Sequence, residues 1–514
     1  VSGRAGRDGV ARLSYQLVHL FRSQDQCLLY DGATGALVRL GEGPFRQWKQ
    51  FLAPRNQGTD TGGQGRGGSG ELQDPPGLAQ LHQLGLFRAP QYPTASDSPL
   101  GAAGLHSLCL NVAHACDLAC AYCFAGAGEY GREGEPGNAS PTPAIMPLET
   151  AQAALDFLLG NSPPGRTVSV DFFGGEPLLA WDTVVGTVDY GRERAAALGK
   201  QILFTLTTNG CALDDHRAHF CAANISTVIV SIDGRPETHD RLRRDRSGGP
   251  SYARALRGAR LLQEALRQTG AHAAAATDKY SSSLPGAVAS VSQAALRPDR
   301  PLESGPLWIR GTYTAHNLDF WRDVQHLREL GMDQISMEPV TTGPDDKALY
   351  RLLPSHLPAI RDSYARIAEM VTEGRLRFFH YELNTKQPAC APKRYSGCAA
   401  GAGYGCVDPQ GRLFPCHQFD GQPGWCQGGV AELEGYVLLP ALAGATVGAK
   451  QTCRDCWAQL LCGGGCHYSA WRHSGHGGLL EPDPLACLIG KARLEAALGV
   501  QARVTGSAVA ADQT

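Results

Sequence analysis

The sequence predicts an α/β protein built around a partial (β/α)6 barrel of the TIM type. Three observations predict it. Between Leu105 and Glu373, six short β-type runs alternate with six helical stretches, and that alternation implies a parallel sheet. Each β-type run passes at its C-terminal end into glycine or polar residues, which is the end of a barrel where ligands sit. Cysteine is concentrated at the start of this region, in Cys116, Cys120 and Cys123, and again beyond it, from Cys398 to Cys487.

Ahead of the barrel, Leu17 to Phe21, Cys27 to Tyr30 and Ala36 to Leu40 read as strands, with Asp31-Gly32 and Thr34-Gly35 as turn residues. Phe45 to Leu52 and Leu78 to Leu86 read as helices, and the glycine-rich stretch from Asn56 to Gly70 reads as a mobile linker. Together these form a domain over residues 1–95. Three strands with short helices resemble the winged-helix leader-recognition domain that precedes many peptide-modifying enzymes. That resemblance implies capture of a leader segment by addition to a sheet edge. The competing reading is an extension packed on the barrel, because β-propensity alone is a poor guide.

Within the barrel domain, residues 105–373, the strands are Leu108 to Val112, Val168 to Phe173, Ile202 to Thr207, Thr227 to Ile232, Leu307 to Thr312 and Gln334 to Met337. The helices are Leu148 to Leu159, Trp181 to Leu198, Asp214 to Ala222, Tyr252 to Gln268, Leu318 to Leu330 and His356 to Thr372. The strands run out, in order, into Cys116, Gly174-Gly175-Glu176-Pro177, Thr208-Asn209-Gly210, Ser231-Ile232-Asp233-Gly234, Thr312-Tyr313-Thr314 and Glu338-Pro339. Residues 270–305, rich in Ala, Ser and Pro, follow a helix and precede a strand. They therefore belong to the opposite face and read as a tolerated insertion, not a lid. A bridging segment over 374–397 leads to the cysteine-rich domain at 398–490, followed by a C-terminal helix and tail at 491–514.

The chemistry begins at Cys116-x3-Cys120-x2-Cys123. Three thiolates this close can share one cubane cluster and leave one iron without a protein ligand. A zinc knuckle or three incidental thiols are the competing readings. The spacing resembles the signature of the radical S-adenosylmethionine (SAM) enzymes, in which the methionine part of the cofactor chelates the open iron. That resemblance implies that Tyr122 stacks near the adenine and that Gly174, Gly175 and Glu176 hold the cofactor's ammonium. It further implies that Ser231 and Arg243, within Ser-Ile-Asp-Gly-x4-His-Asp-Arg-Leu-Arg, bind the ribose hydroxyl and the cofactor carboxylate, with Arg244 as an alternative to Arg243. Asn209 falls near the ribose or serves as a turn-forming residue before Gly210. Glu338 is the candidate catalytic carboxylate, as a base or a substrate holder; a surface-turn carboxylate is the alternative.

The C-terminal pattern is Cys398-x12-Gly411-x4-Cys416, then Cys453-x2-Cys456-x5-Cys462-x3-Cys466, then Cys487. It resembles the seven-cysteine pattern of the SPASM domain, with Gly411 in a hairpin turn. The resemblance implies two auxiliary clusters. One takes Cys453, Cys456, Cys462 and Cys487; the other takes Cys398, Cys416 and Cys466, its fourth position falling to Cys406, Cys390 or a substrate thiolate. A pair of zinc ribbons uses similar spacing. Cys27, Cys109, Cys211, Cys221 and Cys426 have no ligand spacing and default to buried thiols. His114, His417 and His467 adjoin the cluster segments, either as donors to cluster sulfurs or as ordinary core or surface histidines.

Several phrases, among them Asn111-Val112-Ala113-His114, Asp171-Phe172-Phe173-Gly174-Gly175-Glu176-Pro177, Arg310-Gly311-Thr312-Tyr313-Thr314 and Leu461-Cys462-Gly463-Gly464-Gly465-Cys466-His467, resemble the maturases of SCIFF peptides. The chain departs from that pattern at 56–70, at 270–305 and at Cys406. What the resemblance implies is a SAM-dependent enzyme with three 4Fe–4S clusters that forms a thioether between a cysteine sulfur and a carbon of an acceptor residue, threonine first. Its partners would be a cysteine-rich precursor peptide and a low-potential electron donor such as flavodoxin or ferredoxin. Formylglycine formation in a sulfatase is a second reaction on the same scaffold, and a non-catalytic iron–sulfur carrier is the reading of another class. Composition agrees with an enzyme of this kind. The net charge of −2 without a basic run leaves no footprint for nucleic acid, no apolar run approaches twenty residues, and the start lacks a signal-like core. Seventeen cysteines in 514 residues fit metal ligands in a reducing, cytoplasmic compartment.

Overall fold

The computed structural model describes residues 15–53, 74–87, 104–128, 130, 144–269, 306–342, 350–383, 395–422, 424–504 and 509–510. The glycine-rich stretch 56–70, the insertion 270–305 and Cys390 lie outside them.

Strands β1 (Val18–Ser23), β2 (Gln26–Asp31) and β3 (Leu37–Leu40) form an antiparallel sheet in that order, extended by a short parallel strand at Val509–Ala510. Successive side chains of a strand face opposite ways, and both faces of this sheet are covered. Val18, Leu29, Val38 and Leu40 meet helix α1 (Glu42–Leu52), whose Phe45, Trp48, Phe51 and Leu52 recur at helical spacing. Each such burial contributes about 1.5–3 kcal/mol. Phe21, Leu28, Tyr30 and Leu37 face the other way, onto Trp457, Leu494 and Leu498 of the C-terminal part. A second helix, α2 (Leu78–Gln83), is shorter than the sequence predicts and completes this unit.

The six predicted barrel strands are present within one sheet. They are β4 (Ser107–His114), β6 (Thr167–Gly174), β7 (Gln201–Thr208), β8 (Thr227–Ser231), β9 (Leu307–Tyr313) and β10 (Gln334–Pro339), all parallel, with a two-residue β5 (Ala144–Ile145) antiparallel to β4. Beyond β10 the sheet gains β11 (Arg377–Phe378). Beyond β4 it gains β12 (Tyr404–Val407) and then β13 (Leu413–Phe414). That last pair is the hairpin expected at Gly411, where φ is +81°. Its parallel pairing to β4 was not foreseen, since nothing in the sequence links segments so far apart.

Helices α3 (Leu148–Gly160), α4 (Trp181–Ala197), α5 (Asp215–Asn224), α6 (Pro236–Leu242), α7 (Tyr252–Gln268), α8 (Phe320–Glu329) and α9 (Leu357–Thr372) accompany the strands. Val168, Val170, Phe172, Phe204, Leu206, Val228 and Val230, all 0–2% exposed, form one core with the helices. The alternate positions, including Cys109, Asn111, Phe173, Ser231, Arg310 and Glu338, therefore face the barrel interior. Two further helices, α10 (His467–His473) and the long α11 (Pro484–Val504), belong to the C-terminal part, and α11 packs along α9 and against β1.

Candidate active site at the barrel mouth

Strand β4 delivers the three clustered cysteines to the C-terminal end of the sheet, and the loop that bears them is clamped on two sides. From the segment after α6, the Ala119 and Ala121 N–H groups donate to the Arg244 and Leu242 carbonyls at 2.7 and 2.8 Å. Arg246 Nε donates to the Cys116 carbonyl at 2.6 Å and an Arg246 terminal nitrogen to the Ala127 carbonyl at 3.1 Å. From the end of β6, Gly175 and Glu176 N–H donate to the Ala113 and Ala115 carbonyls, each at 2.7 Å. A Cβ at Gly175 would lie 2.1 Å from the Ala115 oxygen, and one at Gly174 2.5 Å from the Ala113 oxygen. The sequence anticipates these glycines for close approach to a ligand; in the fold the space is used by the cluster loop's own backbone.

Burial raises the thiols of Cys116 and Cys120, and carboxylates and neighbouring thiols add to it, Cys120 reaching about 11. Such thiols ionise when a cation binds them, and three in mutual electrostatic reach fit a cluster with one open iron. Among the described residues no three His, Cys, Asp or Glu donors converge tightly enough for a single bare ion. A cubane instead spreads its thiolates over separate irons.

Glu176 is fully buried, and its carboxylate accepts from the Leu178 N–H at 3.0 Å, the Thr208 hydroxyl at 2.7 Å and the Asn209 N–H at 2.7 Å. It thereby ties the ends of β6 and β7 together, and burial pushes it up to about 7 against those donors. Of its two predicted roles, Asn209 shows the turn, and it also reaches the cluster loop. Its side-chain oxygen accepts from the Cys211 N–H at 2.8 Å, closing a local turn, while its amide donates to Asp117 on the cluster loop at 2.6 Å.

Across the mouth, Asp233 holds two of the predicted residues at once. It accepts from the Tyr122 hydroxyl at 2.5 Å and from Arg243 Nε at 3.0 Å, and the Arg243 guanidinium lies 5.6 Å from the Tyr122 ring centre. The Thr312 N–H adds a third bond at 2.9 Å. Arg244 turns away, to the Gly248 carbonyl, so Arg243 is the arginine at the mouth. Sequence reasoning gave Asp233 no role, although it stands two residues past Ser231 at the end of β8.

Glu338 sits in a basic surround: His380 at 3.0 Å, Arg310 and Arg493 each at 3.5 Å. Burial would push its carboxyl up, but His380 and the two guanidiniums outweigh that and hold it well below the usual range. The His380 imidazole is itself lowered, by burial and by Arg493.

The C-terminal thiols fall into two groups by mutual influence. Cys487 is pushed up to about 12 by burial and then by Cys462, Cys453 and Cys456. Cys416 is raised by burial and then by Cys398 and Cys466. Lys450, fully buried, stands within reach of both groups; its Nζ donates to the Gly464 carbonyl at 2.7 Å. No spacing signalled it. Cys406 is fully buried on β12, in register with Cys109 of β4, and burial together with that neighbouring thiol pushes its own thiol up. Cys416 is also within its electrostatic reach. Cys27, Cys109, Cys211 and Cys221 are buried as expected, whereas Cys426 is exposed. The three histidines beside the cysteine segments are bonded to other groups: His114 to Asp420 at 2.8 Å, His417 to the Tyr404 hydroxyl at 3.3 Å and His467 to the Ser396 carbonyl at 3.1 Å.

Residues 110–273 match the Radical SAM superfamily. The chain is 25% identical over 206 residues to the serine-type anaerobic sulfatase-maturating enzyme of Klebsiella aerogenes, covering 38% of this chain and 48% of that one. The chain spans about half the length of the first curated relatives it matches. Among solved structures, native anSMEcpe with bound AdoMet and Kp18Cys peptide superposes with a TM-score of 0.57 at 18% identity, over 78% of this chain and 99% of that one. Streptococcus suis SuiB bound to S-adenosylmethionine gives 0.50 at 15% identity, over 91% and 98%. At these identities the likeness is one of fold. No helix among the described residues is long and apolar enough to cross a membrane.

Proposed function

Taking the radical SAM domain of residues 110–273 as premise, we propose that the protein modifies a cysteine-rich, ribosomally made peptide, joining a cysteine sulfur to a carbon of an acceptor residue, threonine first, through a thioether. The observation that carries this reading is the sorting of the C-terminal thiols into a set of four and a set of three. A thioether-forming reaction is a net oxidation, and one-electron carriers suit it. The four would hold one auxiliary cluster; the three would hold the other, with Cys406, Cys390 or a substrate thiolate in the last position.

Bound at Cys116, Cys120 and Cys123, a cluster with SAM would supply hydrogen-atom abstraction, and clusters at the C-terminal thiols would accept the surplus electron. The reaction balances. The acceptor carbon gives up one hydrogen atom, the substrate thiol gives up its proton, and the electron released as the carbon–sulfur bond forms offsets the one consumed to start the reaction. The chain's own residues orient and enclose. Tyr122, Gly174, Gly175, Glu176, Asn209, Ser231 and Arg243 are the proposed SAM contacts, with Arg243 offering a planar two-bond grip for a carboxylate. Asp233 fixes Arg243 and Tyr122 in one geometry. Glu338, held ionised, is a poor base at neutral pH and serves better as an acceptor for peptide N–H groups. A flavodoxin- or ferredoxin-type protein would supply the entering electron.

Anaerobic incubation of cluster-reconstituted protein with SAM, reductant and a SCIFF-type peptide tests the reading by mass spectrometry. The expected product has lost two hydrogens, has one thiol that no longer alkylates, and resists fragmentation between a Cys and a Thr. A second reading, formylglycine formation, is favoured by the similarity to the Klebsiella aerogenes enzyme. Its product from a sulfatase-derived Cys or Ser peptide would be an aldehyde that a hydrazide reagent captures. Deoxyadenosine without a changed peptide would reject both substrates.

A further inference from the structure

The interior wall at β9 and β10 carries a positive excess that the residues around the cluster loop do not use. Two guanidiniums, Arg310 and Arg493, share the one carboxylate of Glu338. Arg493 is largely buried on α11, whereas the Arg310 side chain is 47% exposed. Arg310 faces the cavity because its neighbours face the helices: Ile309 lies in the helix-side core, and a Cβ at Gly311 would meet the Met337 sulfur there at 2.5 Å. Its register partners are Ser231 on β8 and Ser336 on β10. The guanidinium therefore rises between a proposed SAM contact and Glu338. Its one ion pair among the described residues is the 3.5 Å contact to Glu338, which is shared with His380 and Arg493. A guanidinium has five donors in a planar fork suited to carboxylates, and most of these are uncommitted.

We propose that Arg310 binds a carboxylate of the peptide, the side chain of an aspartate or glutamate close to the residue being modified, and so selects which stretch of the peptide is presented. This rests on the reading that a peptide enters the barrel mouth. Glu338 occupies one edge of the fork and repels a second carboxylate from that side, which confines the incoming acid to the Ser231 side. The other source of a carboxylate at this position is SAM itself, and the test separates the two.

Cluster-reconstituted full-length protein, held anaerobic without reductant, is titrated with two fluorescein-labelled peptides of one Cys- and Thr-containing sequence that differ only by Asp against Asn beside the Thr. SAM is titrated separately by calorimetry. The expected result is about tenfold tighter binding of the Asp peptide, in line with a charged hydrogen bond. Arg310→Met removes that preference and leaves SAM affinity unchanged; Arg310→Lys, which keeps the charge and not the fork, retains part of it and controls for folding. Equal affinities in the unaltered protein, or a preference that survives Arg310→Met, overturn the inference. So does a variant that loses SAM and keeps the preference, because the carboxylate is then the cofactor's. Binding of neither peptide would overturn the peptide reading itself, a result distinct from equal binding of both.

Discussion

At the scale of single residues, the site depends on contacts that leave no room for change. Gly175→Ala would drive a methyl into the Ala115 carbonyl, and a rigid backbone neighbour cannot yield. The expected cost is about 1–3 kcal/mol, read as a lower urea midpoint together with reduced iron retention. Buried imidazoles set the acid limit. Burial lowers His239 to about 4, where its Nε2 meets the Ser251 hydroxyl at 2.9 Å, against about 6.5 in an unfolded chain. Between those values the unfolded state binds the extra proton, so the stability contributed by this group is complete above about pH 6.5 and is lost as pH falls towards 4. A urea-midpoint series over that range should be steeper for the unaltered protein than for His239→Gln. The trio Cys116, Cys120 and Cys123 and the carboxylate of Glu176 were legible because short spacing fixes them locally. Asp233 and Lys450 were not, because each acquires its role from partners that only folding brings near: Tyr122 for one, two separate thiol groups for the other.

At the scale of elements, the alternating pattern read the barrel strands to within a residue or two at most ends, since period-two burial and glycine-rich strand ends are local signals. The hairpin at Gly411 was equally plain. Its attachment to β4 was not, because parallel pairing between distant segments has no signature in either. The attachment sets Cys406 against Cys109 and His417 against Phe173, with ring centres 4.8 Å apart. The clamp on the cluster loop is also an element-level device. Arg246→Ala removes two bonds to loop carbonyls from an exposed position, at a cost of about 1–3 kcal/mol or less. The expected signature is faster bleaching of the iron–sulfur absorption under a chelator, with circular dichroism unchanged.

At the scale of the whole molecule, the N-terminal sheet is lodged on the C-terminal part as well as on its own helix. His19 stacks on Trp457 at 4.1 Å between ring centres, and a Cβ at Gly32 would lie 2.2 Å from the Trp457 carbonyl oxygen. Trp457 adjoins Cys456, so the seat of the sheet and a proposed cluster ligand are chain neighbours. Trp457→Ala should loosen β1 to β3, seen as several-fold faster amide exchange there while β6 and β7 stay protected. The sequence showed that a sheet precedes the barrel and could not show that both of its faces would be covered. Helix α11 runs through all of this. It carries Cys487 near its start, Arg493 beside Glu338, Glu495 on His19 at 2.9 Å, and Leu494 and Leu498 under the sheet. Such a helix works as an axle more than as a tail: the front sheet, the wall at Glu338 and a proposed cluster ligand are all mounted on one rod.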